Sequence, residues 1–116
     1  MNEYQIEDEG CKEVIRGAHD AMDVLNGKWK IPIIAVLCFN KKRYSDILRE
    51  VKGVSGKMLS RELKDMELNQ LLKRTVLDTK PLTVQYELTE YGQKFKVVIE
   101  QLAIWGIEYR KEVTAK

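Results

Sequence analysis

The chain has 116 residues, 44% of them hydrophobic, which suits one domain with a real core. A domain of this size is still small enough that a subunit interface would help bury its apolar surface. The net charge of +2 selects no polyanionic partner, and two cysteines make no disulfide framework. No apolar run approaches the roughly 18 residues of a membrane helix. The polar, acidic opening MNEYQIEDEG does not read as a secretory leader, so a cytoplasmic location is the expectation.

Residues 1–10 read as an acidic N-terminal arm carrying Glu3, Glu7, Asp8 and Glu9. Residues 11–116 then form the domain. Val14, Ala18, Ala21 and Leu25 recur at helical spacing, with Ile15 and Met22 beside them, and predict a helix over about 12–25. Asn26-Gly27 stops it, since both residues tolerate the left-handed conformation at a helix end. A second helix is expected from Trp29 to Phe39. It is apolar nearly all round, as a central buried helix is, with Pro32 tolerated in its first turn.

NKKR at 40–43 reads as a basic turn. A short helix from Ser45 or Asp46 to Val51 buries Ile47, Leu48 and Val51. Lys52-Gly53-Val54 turns the chain, Ser55 caps, and a further helix runs over 56–68. Two helices around a tight glycine-containing turn make a helix-turn-helix pattern. From Leu71 the period becomes two. LLKRTVLD (71–78) and TVQYELT (83–89) read as strands around a tip at 79–82. Thr89 opens a last helix whose face carries Phe95, Val98, Ile99, Leu102, Trp105 and Tyr109. Val97, Ala103, Ile104 and Ile107 widen that face beyond what a monomer of this size would leave in water, which calls for a dimer. The fold class is therefore mainly α with a small β-hairpin.

Charge is unevenly placed. Residues 40–80 hold eleven cations and six acids, a net +5, whereas residues 1–10 carry −4. On the helix at 56–68, Leu59, Leu63 and Met66 fall within about 60° of arc. Lys57, Ser60, Arg61 and Lys64 occupy about 100° on the opposite side. An ordinary solvated face would account for this helix taken alone. The short helix and turn before it and the hairpin after it favour a DNA-reading helix. In that role Lys57, Ser60 and Arg61 approach bases, and Ser55 and Gly56 offer backbone donors to phosphate. Lys42, Arg43, Lys64 and Lys80 add electrostatic positioning, with Lys80 and Thr83 on the hairpin wing.

CKEVIRGAHDAMDVLNGKWKIPIIAVL, KRYSDILREVKGVSGKMLSRELKDME, PLTVQYELTEYG and a late WG resemble, in this order, the HxlR family of bacterial winged helix-turn-helix regulators, relatives of the MarR group. The resemblance covers about residues 11–106. It implies a helix-turn-helix over about 44–68 and a wing over about 71–88. It also implies a homodimer built from the first and last helices, about 12–26 and 89–113, with Val14, Ala18, Leu102, Trp105 and Tyr109 in the interface. The implied partner is double-stranded DNA carrying an inverted repeat, read by one recognition helix per subunit. Cys11 falls where some family members sense oxidants or electrophiles. The sequence departs from the family in four places. Gln70 stands for the usual Gly, so either Asn69 takes the positive φ or the turn differs. Pro81-Leu82 stands for a double proline, Thr83 for a frequent Arg, and Tyr44 for the usual Phe.

A helix start and a neighbouring cation, here Lys12, are surroundings that make a thiol reactive, while Asp8 and Glu9 act against it. Cys38, on the apolar second helix, reads as core packing, and His19 as a surface residue. With one histidine and no CxxC, no metal site or cofactor is expected. No phosphate-binding glycine loop, nucleophile elbow or HExxH occurs, so no enzymatic activity is expected. The remaining alternative is a winged-helix module that uses the same face on an acidic protein without reading DNA sequence. The sequence leaves any small-molecule effector unidentified.

Overall fold

The computed structural model describes residues 8–114. The elements run α1 (Asp8–Val24), α2 (Lys30–Leu37), β1 (Lys42–Arg43), α3 (Tyr44–Glu50), α4 (Gly56–Leu68), β2 (Leu72–Leu77), β3 (Thr83–Leu88), α5 (Glu90–Gln93) and α6 (Phe95–Thr114). The strands form an antiparallel sheet in the order β1-β3-β2.

The core is built by α2, α3, α4 and the sheet. Ile33, Ile34, Leu37, Ile47, Leu59, Leu63 and Met66 are its fully buried side chains, joined by Val51, Val54, Leu71, Leu72, Tyr86 and Leu88. Cys38 is among the buried residues, as expected for a packing role, and burial pushes its thiol pKa up. The α4 stripe read from the sequence, Leu59, Leu63 and Met66, is the stripe that packs inward.

Several boundaries differ from the sequence expectation. Helix α1 begins at Asp8, so Asp8–Gly10 of the expected acidic arm are helical, while residues 1–7 lie outside the described residues. Helix α2 ends at Leu37, and Phe39 lies exposed beyond it, with the Lys96 ammonium 5.0 Å from its ring centroid. The expected basic turn at 40–43 contains a strand: Lys42 pairs with Tyr86 and Arg43 with Gln85 of β3, giving the hairpin a third strand. Two charged residues carry no periodicity, so only the neighbouring β3 makes them a strand.

The last helix is two helices. Thr89 caps α5, its Oγ1 accepting from the Gly92 N–H at 3.0 Å, and Lys94 separates α5 from α6. Gly92 is where this corner touches the end of α4. A Cβ there would lie 2.4 Å from the Leu71 carbonyl oxygen, closer than any side chain allows.

Helix α4 ends in a Schellman motif, with the Leu71 N–H bonded to Met66 O at 2.9 Å and the Gln70 N–H to Glu67 O at 3.0 Å. The expectation that Asn69 takes the positive φ or that the turn differs does not hold: Gln70 itself takes the left-handed conformation, φ 63°, and Asn69 stays at φ −87°. The Gln70 carbonyl accepts from Thr89 Oγ1 at 2.7 Å, which holds the strained residue in place.

Helices α1 and α6 contribute little to this core. Val24 and Leu25 at the end of α1 and Phe95 and Ile99 at the start of α6 pack against it. Between them Val14, Ile15, Met22, Val98, Leu102, Ile104, Trp105 and Tyr109 stand exposed. Trp105, 64% exposed, stacks on Tyr109 at 5.1 Å. The radius of gyration is 17.1 Å, against about 13 Å for a compact domain of 100 residues. The excess reflects two long helices with uncovered apolar faces. Among the described residues no helix is long and apolar enough to cross a membrane.

Candidate nucleic-acid interface

Helix α4 presents its polar face because both ends and one flank are held. Ser55 supplies the N-cap, its Oγ accepting from the Met58 N–H at 3.1 Å. Gly53, at φ +91°, turns the chain between α3 and α4 and lies 3.6 Å, from an ideal Cβ, to the Trp29 ring edge. Tyr44 at the start of α3 donates its hydroxyl to the Gly56 carbonyl at 2.9 Å and meets Ser60 Oγ at 3.1 Å. The substitution of Tyr for Phe noted in the sequence is therefore a contact to the helix.

The inner flank carries charge. Lys30 of α2 is 3% exposed and Glu62 of α4 is 9% exposed, and they form a buried ion pair. The Lys30 ammonium also reaches Asp65 at 3.1 Å and Asn26 Oδ1 at 3.2 Å. Burial alone would lower the Lys30 pKa, but its hydrogen bonds to Glu62 and Asp65 and their charges outweigh that, and it stands above the ordinary value. Glu62 lies one step round the helix from the buried stripe, so α4 is clamped to α2 on the side away from its basic face.

On the outward face, Lys57, Ser60, Arg61 and Lys64 are all exposed. Among the described residues no ion pair engages Lys57, Arg61 or Lys64. Arg61 folds along the helix with Nη2 2.8 Å from the Met58 sulfur. Ser55 is exposed at the N-terminus and Gly56 half-buried beside it.

The other candidates lie around this helix in different states. Lys42, half-buried on β1, is paired to Glu50 at 3.1 Å, whereas its neighbour Arg43 is exposed. Asp46 is paired to Arg49 at 2.7 Å, and that guanidinium, with the Arg43 backbone N–H, holds its carboxyl below the usual carboxylate range. At the wing tip Lys80 is exposed, and Thr83 Oγ1 lies 3.0 Å from Thr79 Oγ1, which donates to the Pro81 carbonyl at 2.8 Å. Cys11 is the fourth residue of α1 and is exposed, well separated in sequence from this face.

Three residues join the site that the sequence reading did not single out. Arg74 of β2, opposite Tyr86 in the ladder, lines a groove with Ser60, Lys64 and Glu67 between α4 and the sheet. The alternation of β2 placed Arg74 on a strand, but not the face it shares with α4. Lys30 and Glu62 were hidden among polar residues at ordinary helix positions.

These elements make a winged helix-turn-helix: a capped helix with a cationic outer face, a short helix packed across it, and a three-stranded wing. The family model for the HxlR-like helix-turn-helix matches residues 24–114, and the chain belongs to that family. An uncharacterized HTH-type transcriptional regulator of Bacillus subtilis, YtcD, is 34% identical over 92 residues, 79% of this chain and 73% of the relative. The HTH-type transcriptional regulator YodB of the same organism is 34% identical over 89 residues, 77% of this chain and 80% of YodB. The redox regulator HypR in its reduced form superimposes with a TM-score of 0.79 at 27% identity, covering 86% of this chain and 99% of HypR.

Proposed function

We propose that the protein is a transcriptional regulator that binds an inverted-repeat operator in double-stranded DNA as a homodimer. The observation that carries this reading is the exposed face of α4 bearing Lys57, Ser60, Arg61 and Lys64, its cations held in no ion pair among the described residues, clamped by Lys30 and Tyr44 beside the wing. Lys57, Ser60 and Arg61 approach base edges in the major groove, where Arg bonds guanine and Ser bonds either donors or acceptors. The backbone at Ser55 and Gly56 and the side chains of Lys64, Arg43, Arg74 and Lys80 take phosphates. Lys42 contributes only if it leaves Glu50, and Thr83 supports the wing tip.

The uncovered apolar faces of α1 and α6 support a two-fold dimer, with Val14, Ala18, Leu102, Trp105 and Tyr109 in its interface. Two recognition helices then meet half-sites centred about 10 base pairs apart, or a multiple of that. The test is selection of binding sites from random duplexes, followed by a salt titration. An enriched inverted repeat bound with steep salt dependence supports the reading, since each neutralised phosphate releases counterions. A flat salt response, or Arg61→Ala with unchanged affinity and base preference, overturns it.

Exposed Cys11 supports a thiol-responsive output, in keeping with the redox regulator HypR among the related structures. Diamide, which oxidises thiols to disulfides, should release the wild-type protein from its operator and leave Cys11→Ser bound. Equal behaviour of the two proteins removes Cys11 from the response.

A further inference from the structure

Tyr44 and Ser60 define a hydrogen-bond chain whose direction can be worked out from its proton count. Tyr44 Oη is 2.9 Å from the Gly56 carbonyl oxygen and 3.1 Å from Ser60 Oγ. A carbonyl oxygen only accepts, so the one arrangement that makes both contacts hydrogen bonds sends the phenolic proton to Gly56. The contact with Ser60 is then a hydrogen bond in which Ser60 gives its own proton to the tyrosine oxygen. Ser60 has one hydroxyl proton, and in this arrangement that proton points inward. What the exposed serine presents outward is lone pairs alone.

The contact is closely built. A Cβ at Gly56 would stand 3.3 Å from Tyr44 Oη, so a side chain there would press on the ring that holds Ser60. Secondary structure sets the chain of bonds, with Tyr44 in its middle opening α3 and both its ends, Gly56 and Ser60, on α4.

A serine on a DNA-reading helix ordinarily bonds donors and acceptors alike. One that only accepts does not. In the major groove the donors are the amino groups, N6 of adenine and N4 of cytosine. Guanine N7 and O6, thymine O4 and the phosphate oxygens are acceptors. We infer that Tyr44 is a specificity-determining residue: by taking the Ser60 proton it makes Ser60 a reader of an adenine or cytosine amino group. Tyr44 itself acts as a positioning residue and touches no base. The inference rests on α4 being the recognition helix, as proposed above.

The experiment is site selection from random duplexes with the full-length wild type, Tyr44→Phe and Ser60→Ala, followed by titrations on single-base variants of the selected operator. At one position per half-site the wild type should favour an amino-bearing base by about five- to tenfold, the size of one hydrogen bond. Tyr44→Phe and Ser60→Ala should each flatten that position to within about twofold, and the double variant should go no further, as expected of coupled residues. If the base is adenine, its replacement by purine, which lacks the amino group, should cost the wild type the same factor and Tyr44→Phe less, since its freed Ser60 hydroxyl can donate to N7 instead. If it is cytosine, the corresponding 4-deamino analogue serves. A general loosening of α4 would instead lower affinity at every position together.

The inference is overturned if Tyr44→Phe keeps the wild-type profile, if Ser60→Ala flattens a position that Tyr44→Phe leaves intact, or if the Ser60-dependent preference is for guanine or thymine. Those outcomes leave the operator reading standing. A wild type that enriches no sequence overturns both.

Discussion

Lys30 on α2 and Glu62 on α4 form a buried ion pair across 32 residues of sequence, and Asp65 completes it at 3.1 Å. The pair joins the central helix to the flank of α4 away from Lys57, Ser60 and Lys64, so a change at Lys30 acts on the placement of that face from within the core.

Lys30→Met leaves the Glu62 carboxylate buried without its cation. Removing one partner of such a pair costs about 3–5 kcal/mol, whereas replacing both by apolar residues is often neutral. Urea unfolding should show the single variant markedly destabilised and the Lys30→Met/Glu62→Leu variant restored to near wild type. A single variant as stable as wild type would show that the pair does not hold α4.

The same pair sets an alkaline limit. The folded-state pKa of Lys30 is raised, so its contribution to stability is complete below the ordinary lysine value of about 10.4 and is lost as pH rises through the folded value. Thermal unfolding between pH 9 and 11 should show wild type falling more steeply than the Lys30→Met/Glu62→Leu variant. Parallel curves would mean that Lys30 does not titrate differently on unfolding.

Gln70 sits at φ 63°, in the left-handed region that favours glycine. Gln70→Gly should relieve the strain and, after the added flexibility of the unfolded chain, stabilise the protein by about 1 kcal/mol. For a domain of this length that is a rise of about 4 °C in Tm by calorimetry. A lower Tm would show that the Thr89 bond to the Gln70 carbonyl already compensates the strain.

Gly92→Ala should do the opposite. The added Cβ would lie 2.4 Å from the Leu71 carbonyl oxygen, which is backbone and cannot swing aside. The hydrogen bond from the Thr89 N–H to Leu71 O, at 3.0 Å, fixes that oxygen further. A loss of about 2–3 kcal/mol in urea unfolding is expected, in the range of overpacking in a closed site. A neutral substitution would mean that α5 shifts freely on the sheet.

Leu102→Asp places a charge in the apolar face of α6, where Leu102 is 47% exposed in the single chain. If α6 joins two copies, sedimentation should show a dimer for wild type and a monomer for the variant, with the far-UV spectrum retained. Operator affinity should fall with it by about 10²-fold or more, since a monomer engages one half-site instead of two linked ones. A dimer that survives this substitution places the interface elsewhere.

The elements that could be read from the sequence are those whose signal is local. Leu59, Leu63 and Met66 repeat at helical spacing, and Ser55 caps at the right offset, so α4 and the stripe it buries followed from the pattern of residues. The apolar excess of α6 likewise follows from composition along a helix, and so does the need to cover it. Tertiary structure decided whatever depends on two distant segments meeting. Lys42 and Arg43 are a strand because β3 offers them a ladder. Gln70 accepts a positive φ because Thr89 holds its carbonyl. Lys30 and Glu62 are interior residues because each neutralises the other, and nothing in the residues around either one announces its partner. The hydroxyl of Tyr44 falls in the same class. Sequence shows an oxygen added to a ring, and only the packing of α3 on α4 sets that oxygen within hydrogen-bond distance of both Gly56 and Ser60.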